Sequence, residues 1–141
     1  MTKALIDTNV IIDYASKRQP FFANADKIID AIIDNKLSAY ISASTVTDIF
    51  YILKRENSQE KTLDFIKGLL TIIDVFSVDK QIIINALYSG WTDFEDAVQA
   101  EVSFENNVDI IITRNIKDFN KLKSIRVLTP TEFLYELQIK N

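Results

Sequence analysis

The sequence predicts an α/β protein, a central parallel sheet of about four or five short strands with helices on both faces. Three observations lead there. Short apolar runs alternate with longer segments of helical period along the chain, the pattern of strands joined by helical crossovers. The breakers are sparse (Pro20, Gly68, Gly90 and Pro130), and no linker, low-complexity tract or repeat divides residues 1–141, so one domain is expected. Right-handed crossovers between parallel strands then put the helices on both sides of the sheet.

The elements follow in order. Ala4-Leu5-Ile6 is a buried strand ending at Asp7. Val10 to Ser16 is a short helix that stops before Pro20. Asn24 to Asn35 carries Ile28, Ile29, Ile32 and Ile33, one apolar stripe at helical spacing. Ser38 to Ser42 is a second strand. Ser44 reads as an N-cap, with Val46, Ile49, Phe50 and Leu53 on one face of the helix behind it. Ser58 caps a further helix with Leu63, Ile66, Leu69 and Leu70 inward. Thr71 to Phe76 is rich in β-branched residues and favours a strand. Asp79 starts a helix through Leu87, and Asp93 to Phe104 is helical with Phe94, Ala97, Val98 and Val102 inward. Val108 to Thr113 is the strongest strand, and Arg126-Val127-Leu128 is the last. Pro130 suits the start of a terminal helix, where its missing N–H costs little.

Composition narrows the chemistry. The chain has no His and no Cys, which excludes Ser-His and Cys-His nucleophiles, thiol redox chemistry and Cys/His zinc sites. Two Gly are too few for a Walker loop or a GxGxxG turn. Twenty Asp and Glu, sixteen Lys and Arg, hydroxyls and amides remain. An enzyme built from these most naturally uses carboxylates to hold a hard cation such as Mg²⁺ or Mn²⁺. A net charge of −4 argues against coating nucleic acid through bulk charge but permits a local basic patch. No apolar run has the length of a membrane span, and the start does not read as a signal peptide. An intracellular, cytoplasmic protein without a membrane partner is expected.

In open parallel sheets sites form at the carboxyl ends of the strands, so the residues directly behind each strand are the first candidates. Asp7 stands behind the first, with Thr8 and Asn9. Thr113-Arg114-Asn115 ends the strongest, with Asp118 beyond. Asp48 lies early in the helix after the second, and Asp93, Glu95 and Asp96 open the helix before the strongest. Carboxylates from distant segments could thus converge on one edge. Two of them about 4 Å apart at a dielectric of about 20 repel by roughly 4 kcal/mol. Such a cluster stays ionised only around a cation; otherwise one acid keeps its proton. Blander readings exist. Asp93 suits an N-cap, Glu95 and Asp96 suit the helix dipole, Asp48 suits a helix start beside Ile52, and Asp13 reads as solvated or capping. Asp7, directly behind a buried strand, is hardest to assign to packing.

Four segments in order, Leu5-Ile6-Asp7-Thr8-Asn9-Val10-Ile11-Ile12-Asp13, Ile41-Ser42-Ala43-Ser44-Thr45-Val46-Thr47-Asp48, Asp93-Phe94-Glu95-Asp96-Ala97-Val98-Gln99-Ala100 and Ile111-Ile112-Thr113-Arg114-Asn115-Ile116-Lys117-Asp118-Phe119, resemble a PIN domain. The nearest subgroup is the small bacterial PIN proteins similar to VapC-type toxins. The resemblance implies a three-layer α/β/α fold and a metal-dependent endoribonuclease. It implies that Asp7, Asp48 and Asp96 hold one Mg²⁺ or Mn²⁺, which activates water for attack on an RNA phosphodiester. Asn9, Thr113 and Asn115 are then supporting residues, Asp93 and Asp118 possible extra acids, and Arg114 and Lys117 the phosphate contacts. A small antitoxin partner and a homodimer are implied as well. There are two departures. The middle acid, commonly Glu in the family, is Asp48, one methylene shorter. The fourth acid is Asn115, whose neutral amide is a poorer ligand, so a second metal is not implied.

The charge distribution adds a separate observation. Trp91 to Asp109 holds Asp93, Glu95, Asp96, Glu101, Glu105 and Asp109 with no Lys or Arg, whereas Arg114, Lys117, Lys121, Lys123 and Arg126 face only Asp118 in the next stretch. An acidic segment beside a basic one suits a phosphodiesterase, although mixed charge is also how a solvated surface looks. Tyr14, Phe21, Phe22 and Trp91 are the aromatics that could stack bases, or could be core. The alternative reading is a catalytically weak or inactive PIN-fold module that binds RNA or protein. A phosphoacceptor receiver wants paired acids after the first strand, and a haloacid-dehalogenase-type phosphatase wants D-x-D; Asp7-Thr8-Asn9 supplies neither.

Overall fold

The computed structural model describes residues 1–140, the last by its backbone alone. Strands β1 (Lys3–Ile6), β2 (Ser38–Ser42), β3 (Asp74–Phe76), β4 (Ile110–Ile112) and β5 (Arg126–Leu128) form one parallel sheet in the order β3-β2-β1-β4-β5. The helices are α1 (Thr8–Ala15), α2 (Phe22–Ile33), α3 (Ala43–Lys54), α4 (Gln59–Leu69), α5 (Lys80–Leu87), α6 (Phe94–Glu105) and α7 (Pro130–Lys140). A short 3-10 turn spans Ile116–Phe119.

Side-chain alternation along the strands builds two cores. Ala4, Ile6, Ile41, Ile110 and Ile112 face a layer drawn from α1, α2, α3, α4 and α7. Leu5 and Ile111 face the opposite way, onto Ile82 and Ala86 of α5 and Ala97, Val98 and Val102 of α6. The result is the expected three-layer α/β/α arrangement. It also explains why β1 and β4 are apolar without interruption, since both their faces are covered. β1 lies in the middle, with Ile6 level with Ile112, so Asp7 and Thr113 emerge side by side at the carboxyl edge.

Several boundaries move for local reasons. α1 starts at Thr8 rather than Val10, because the Asp7 carboxylate accepts the Thr8 N–H and caps the helix. α2 opens at Phe22, two residues before the expected start at Asn24, where Phe22 stacks on Tyr14 with ring centroids 6.3 Å apart. Ser42, not Ser44, caps α3: its hydroxyl accepts the Thr45 N–H, while Ser44 pairs with the Ser42 hydroxyl. β3 is shorter than Thr71 to Phe76, since the N–H groups of Thr71, Ile72 and Ile73 return to the carbonyls of Gly68 and Leu69 and close α4. The Val108 N–H likewise closes α6 on Ser103, which leaves β4 as Ile110–Ile112. Ser58, Asp79 and Asp93 cap their helices as expected.

Asp13 departs from its expected solvated or capping role. It is 1% exposed, and its carboxylate accepts from Arg114 Nε at 2.6 Å and Nη2 at 3.3 Å. The acid lies on the inward side of α1, where the guanidinium brought from the loop after β4 is its ion-pair partner.

Because Ile112 is wholly buried next to the central strand, Ile112→Ala is expected to cost about 2–5 kcal/mol in urea unfolding. Ile33→Ala, at a position 54% exposed, is expected to stay within about 0.5 kcal/mol of the parent.

Candidate active site

Asp7 leaves β1 with its N–H bonded to the Ile112 carbonyl and turns at once into α1. Its side chain is nearly enclosed, the residue being 8% exposed, and four donors meet it. Oδ1 accepts from the Thr8 N–H at 2.9 Å and Gln99 Nε2 at 3.1 Å. Oδ2 accepts from Thr113 Oγ1 at 2.8 Å and Asn9 Nδ2 at 3.3 Å. A carboxylate taken out of water needs this many donors to stay charged. The donors are themselves fixed. Thr113 Oγ1 also accepts from the Asn9 amide and the Asn115 N–H, and Asn9 Oδ1 accepts the Arg114 N–H. Gln99 Nε2 reaches Thr45 Oγ1 as well, at 3.2 Å, and Thr45 exchanges hydroxyl contacts with Thr8 and Ser42.

Above this network lies a pocket of about 250 Å³. Asp7, Asp48, Glu95 and Asp96 supply its carboxylates, and Thr8, Asn9, Ser44, Thr45, Gln99, Asn115 and Arg18 its other polar groups. Asp48 arrives on α3, and Asp93 places the α6 residues by accepting the Asp96 N–H at 2.9 Å. Mutual repulsion shows in their protonation. Burial raises the Asp48 carboxyl above its ordinary range, and the Asp7 charge adds to it. Glu95 is raised first by Asp48, then by burial, then by Asp93 and Asp7. Asp96 is pushed up to about 7, by burial first and then by Asp93, Asp7, Asp118 and Glu95.

Two further cavities adjoin this pocket. A groove of about 310 Å³ shares Asp96 with it and is lined by Trp91, Thr92, Asp93, Lys117, Asp118, Asn120 and Lys121. It joins the acidic and basic segments of the sequence. On the other side a cavity of about 410 Å³ shares Asn115.

The expected site residues therefore divide. Asp7, Asn9, Asp48, Asp96 and Asn115 line one pocket, with Thr113 buried beneath it. Asp93, Asp118 and Lys117 line the neighbouring groove. Arg114, expected at phosphate, directs its guanidinium to Asp13 and lies 4.0 Å from the centre of the Phe21 ring. Sequence reasoning named Glu95 among the converging acids but assigned it to the helix dipole, and it missed Gln99, Thr45 and Arg18 as pocket residues. For Gln99 a signal was available: it stands three and four residues after Asp96 and Glu95, on the same face of α6.

The all-oxygen donor set fits a hard divalent cation in its chemistry. Gln99 Oε1 adds a buried acceptor with no hydrogen-bond partner. Among the described residues, no three acids stand close enough together to surround one ion.

Fold and site together define a class, an α/β/α domain with a carboxylate-lined pocket at the carboxyl edge of its sheet. The chain belongs to the PIN-domain family, whose model matches residues 3–117. No curated protein matches the chain. Solved structures do. It is similar to VapBC-1 from nontypeable Haemophilus influenzae, with 22% identity over 91% of this chain and 98% of that one and a TM-score of 0.69. A toxin-antitoxin complex from Klebsiella pneumoniae gives 23% identity over 90% and 97%, with a TM-score of 0.67. Mycobacterium tuberculosis VapC20, described as a toxin that cleaves the sarcin-ricin loop, gives 13% over 87% and 98%, also at 0.67. At these identities the likeness establishes the fold.

The raised acids set a pH dependence. The folded protein holds a proton on Asp96 between its ordinary value of 3.8 and about 7, where the unfolded chain does not. Its contribution to stability is full below that window and is lost as pH rises through it. Urea midpoints of the EDTA-treated protein are expected to fall less over this range in Asp96→Asn than in the parent, with a residual slope from Asp48 and Glu95. Parallel curves would remove Asp96 as the titrating group.

Proposed function

We propose that the chain is a divalent-metal-dependent endoribonuclease, the toxin of a toxin-antitoxin pair. The observation that carries this reading is the Asp7 carboxylate, held by four donors at the floor of a pocket that Asp48, Glu95 and Asp96 also line. Asp7, Asp48 and Asp96 would hold Mg²⁺ or Mn²⁺. Bound there, the ion supplies a water of lowered pKa and offsets charge on the phosphodiester.

The chain's own residues do the rest. Thr113, Asn9 and Gln99 fix Asp7 in one orientation, so little reorganisation is left for substrate binding. In the metal-free chain Asp96 is pushed up to about 7, so binding a cation there would displace its proton. Arg18 in the pocket and Lys117 in the adjoining groove are placed to meet phosphates. Arg114 steadies the Asn9–Thr113 contact through its backbone N–H.

A neighbour described as a toxin-antitoxin complex supports an antitoxin partner, and a homodimer is proposed from the family resemblance alone. Among the described residues no helix is long and apolar enough to cross a membrane. A second reading has its own support. The separated acids and the neutral Asn115 favour a PIN-fold module that binds RNA or protein without cutting.

One assay decides between the readings. Labelled unstructured RNA is incubated with Mn²⁺ or Mg²⁺, parent beside Asp7→Asn, both purified identically. Cleavage by the parent, abolished by EDTA and by Asp7→Asn, is expected, with an unchanged circular dichroism spectrum for the variant. Equal cleavage by the two proteins would reject the assignment. No cleavage by either, together with no divalent-metal binding, would favour the binding module.

A further inference from the structure

The cavity beside Asn115 stands outside the acid pocket and has its own chemistry. Phe21, at the threshold of α2, is 40% exposed, and the Arg114 guanidinium lies 4.0 Å from its ring centre. That guanidinium is not a free charge. Its Nε and Nη2 are spent on the buried Asp13 carboxylate, which fixes the guanidinium and neutralises it. A neutralised, immobilised guanidinium stacked on an aromatic ring is a poor phosphate clamp and a good flat platform. Beside it Asn24 Nδ2 donates to Thr131 Oγ1 at 2.8 Å, which orients the Asn24 amide and leaves its carbonyl oxygen available as an acceptor. The cavity of about 410 Å³ falls within the range of small-ligand sites. Because Asn115 lines both cavities, a group here is one step along a strand from the acids.

We propose that this cavity is a nucleobase subsite, in which an unstacked base of the RNA extends the Phe21–Arg114 stack and presents its edge to Asn24 and Thr131. The proposal rests on reading the protein as acting on RNA. It assigns base preference to Phe21 and Asn24, away from the acid pocket. Flat π-faces and amide edges are how single-stranded RNA is distinguished base by base.

The test is equilibrium binding of short labelled homopolymers of A, C, G and U to the protein in EDTA, where binding is read apart from cleavage. Phe21→Ala is expected to weaken the preferred homopolymer by about tenfold or more. Phe21→Trp is expected to keep its affinity, and Asn24→Ala to change the ranking of the bases, with thermal unfolding confirming that each variant is folded. Phe21→Leu keeps apolar bulk without a π-face and is expected to bind as weakly as Phe21→Ala. Parent-like binding by Phe21→Ala or Phe21→Leu would overturn the subsite and leave the ribonuclease reading standing. Failure of the parent to bind any homopolymer would overturn the subsite, whereas the ribonuclease reading stands or falls by the cleavage assay with Mn²⁺ or Mg²⁺.

Discussion

A charge buried at the end of a central strand has to be met from every side, and at Asp7 the demand falls on three segments of the chain. Thr8 and Asn9 are local, but Thr113 comes from the end of β4 and Gln99 from the middle of α6. The pairing of β1 with β4 brings Thr113 alongside, and the packing of α6 on Leu5 and Ile111 brings Gln99 over the edge. Each of these depends on apolar contacts well away from the carboxylate. The site is therefore a readout of sheet register: a one-residue slip of β4 would turn Thr113 away from Asp7 and leave the acid unsatisfied. The same donors tie α3 in, because Gln99 shares its amide between Asp7 and Thr45.

Around this anchored acid the structure gathers three others that it does not neutralise. Asp48, Glu95 and Asp96 are each raised by their neighbours' charges as well as by burial. Natural sequences can relieve such strain with Lys or Arg, as this chain does at Asp13. Here Arg18 is the one cationic residue among those lining the pocket. Unrelieved like charge lowers stability, and it persists where something outside the chain is to supply the compensation. That compensation is what the proposed cation would supply, although among the described residues the acids stand too far apart to enclose one as they are.

Most of the fold was legible because β1 and β4 are buried on both faces and α2, α3 and α6 on one, so their apolar patterns are strong. Ser58, Asp79 and Asp93 announced three helix starts by chemistry that depends on nearest neighbours alone. The misplacements share a cause. Thr71 to Ile73 has β propensity, yet its N–H groups are consumed by closing α4. Asp13 looked solvated because nothing near it in sequence marks it as buried; its partner lies 101 residues away. Glu95 and Gln99 were hidden by adequate local explanations, a helix dipole for one and a helical polar residue for the other. Their pocket role exists only once α6 is laid against β1. Acids directly after strands could be found from sequence, whereas the partners that orient them could not.

The Asp13–Arg114 pair also bears on how a chain of net charge −4 could hold a polyanion. With a Debye length of about 8–10 Å in physiological salt, distant surface acids are largely screened, so the charges along the groove decide. Arg114 is the basic residue closest in sequence to the β4 edge, and it is already paired. What remains is Arg18 at the acid pocket and Lys117 in the groove beyond Asp96; Lys121 in that groove is bonded to the Gly90 carbonyl. Cationic groups thus flank the acids without cancelling them. On the proposed reading, a strand bound here would have phosphates near cations on either side of the acids. Removing Arg114's partner would free a cation beside Asn115 and would also release the backbone that positions Thr113. The buried pair therefore couples the electrostatics of the site to its geometry.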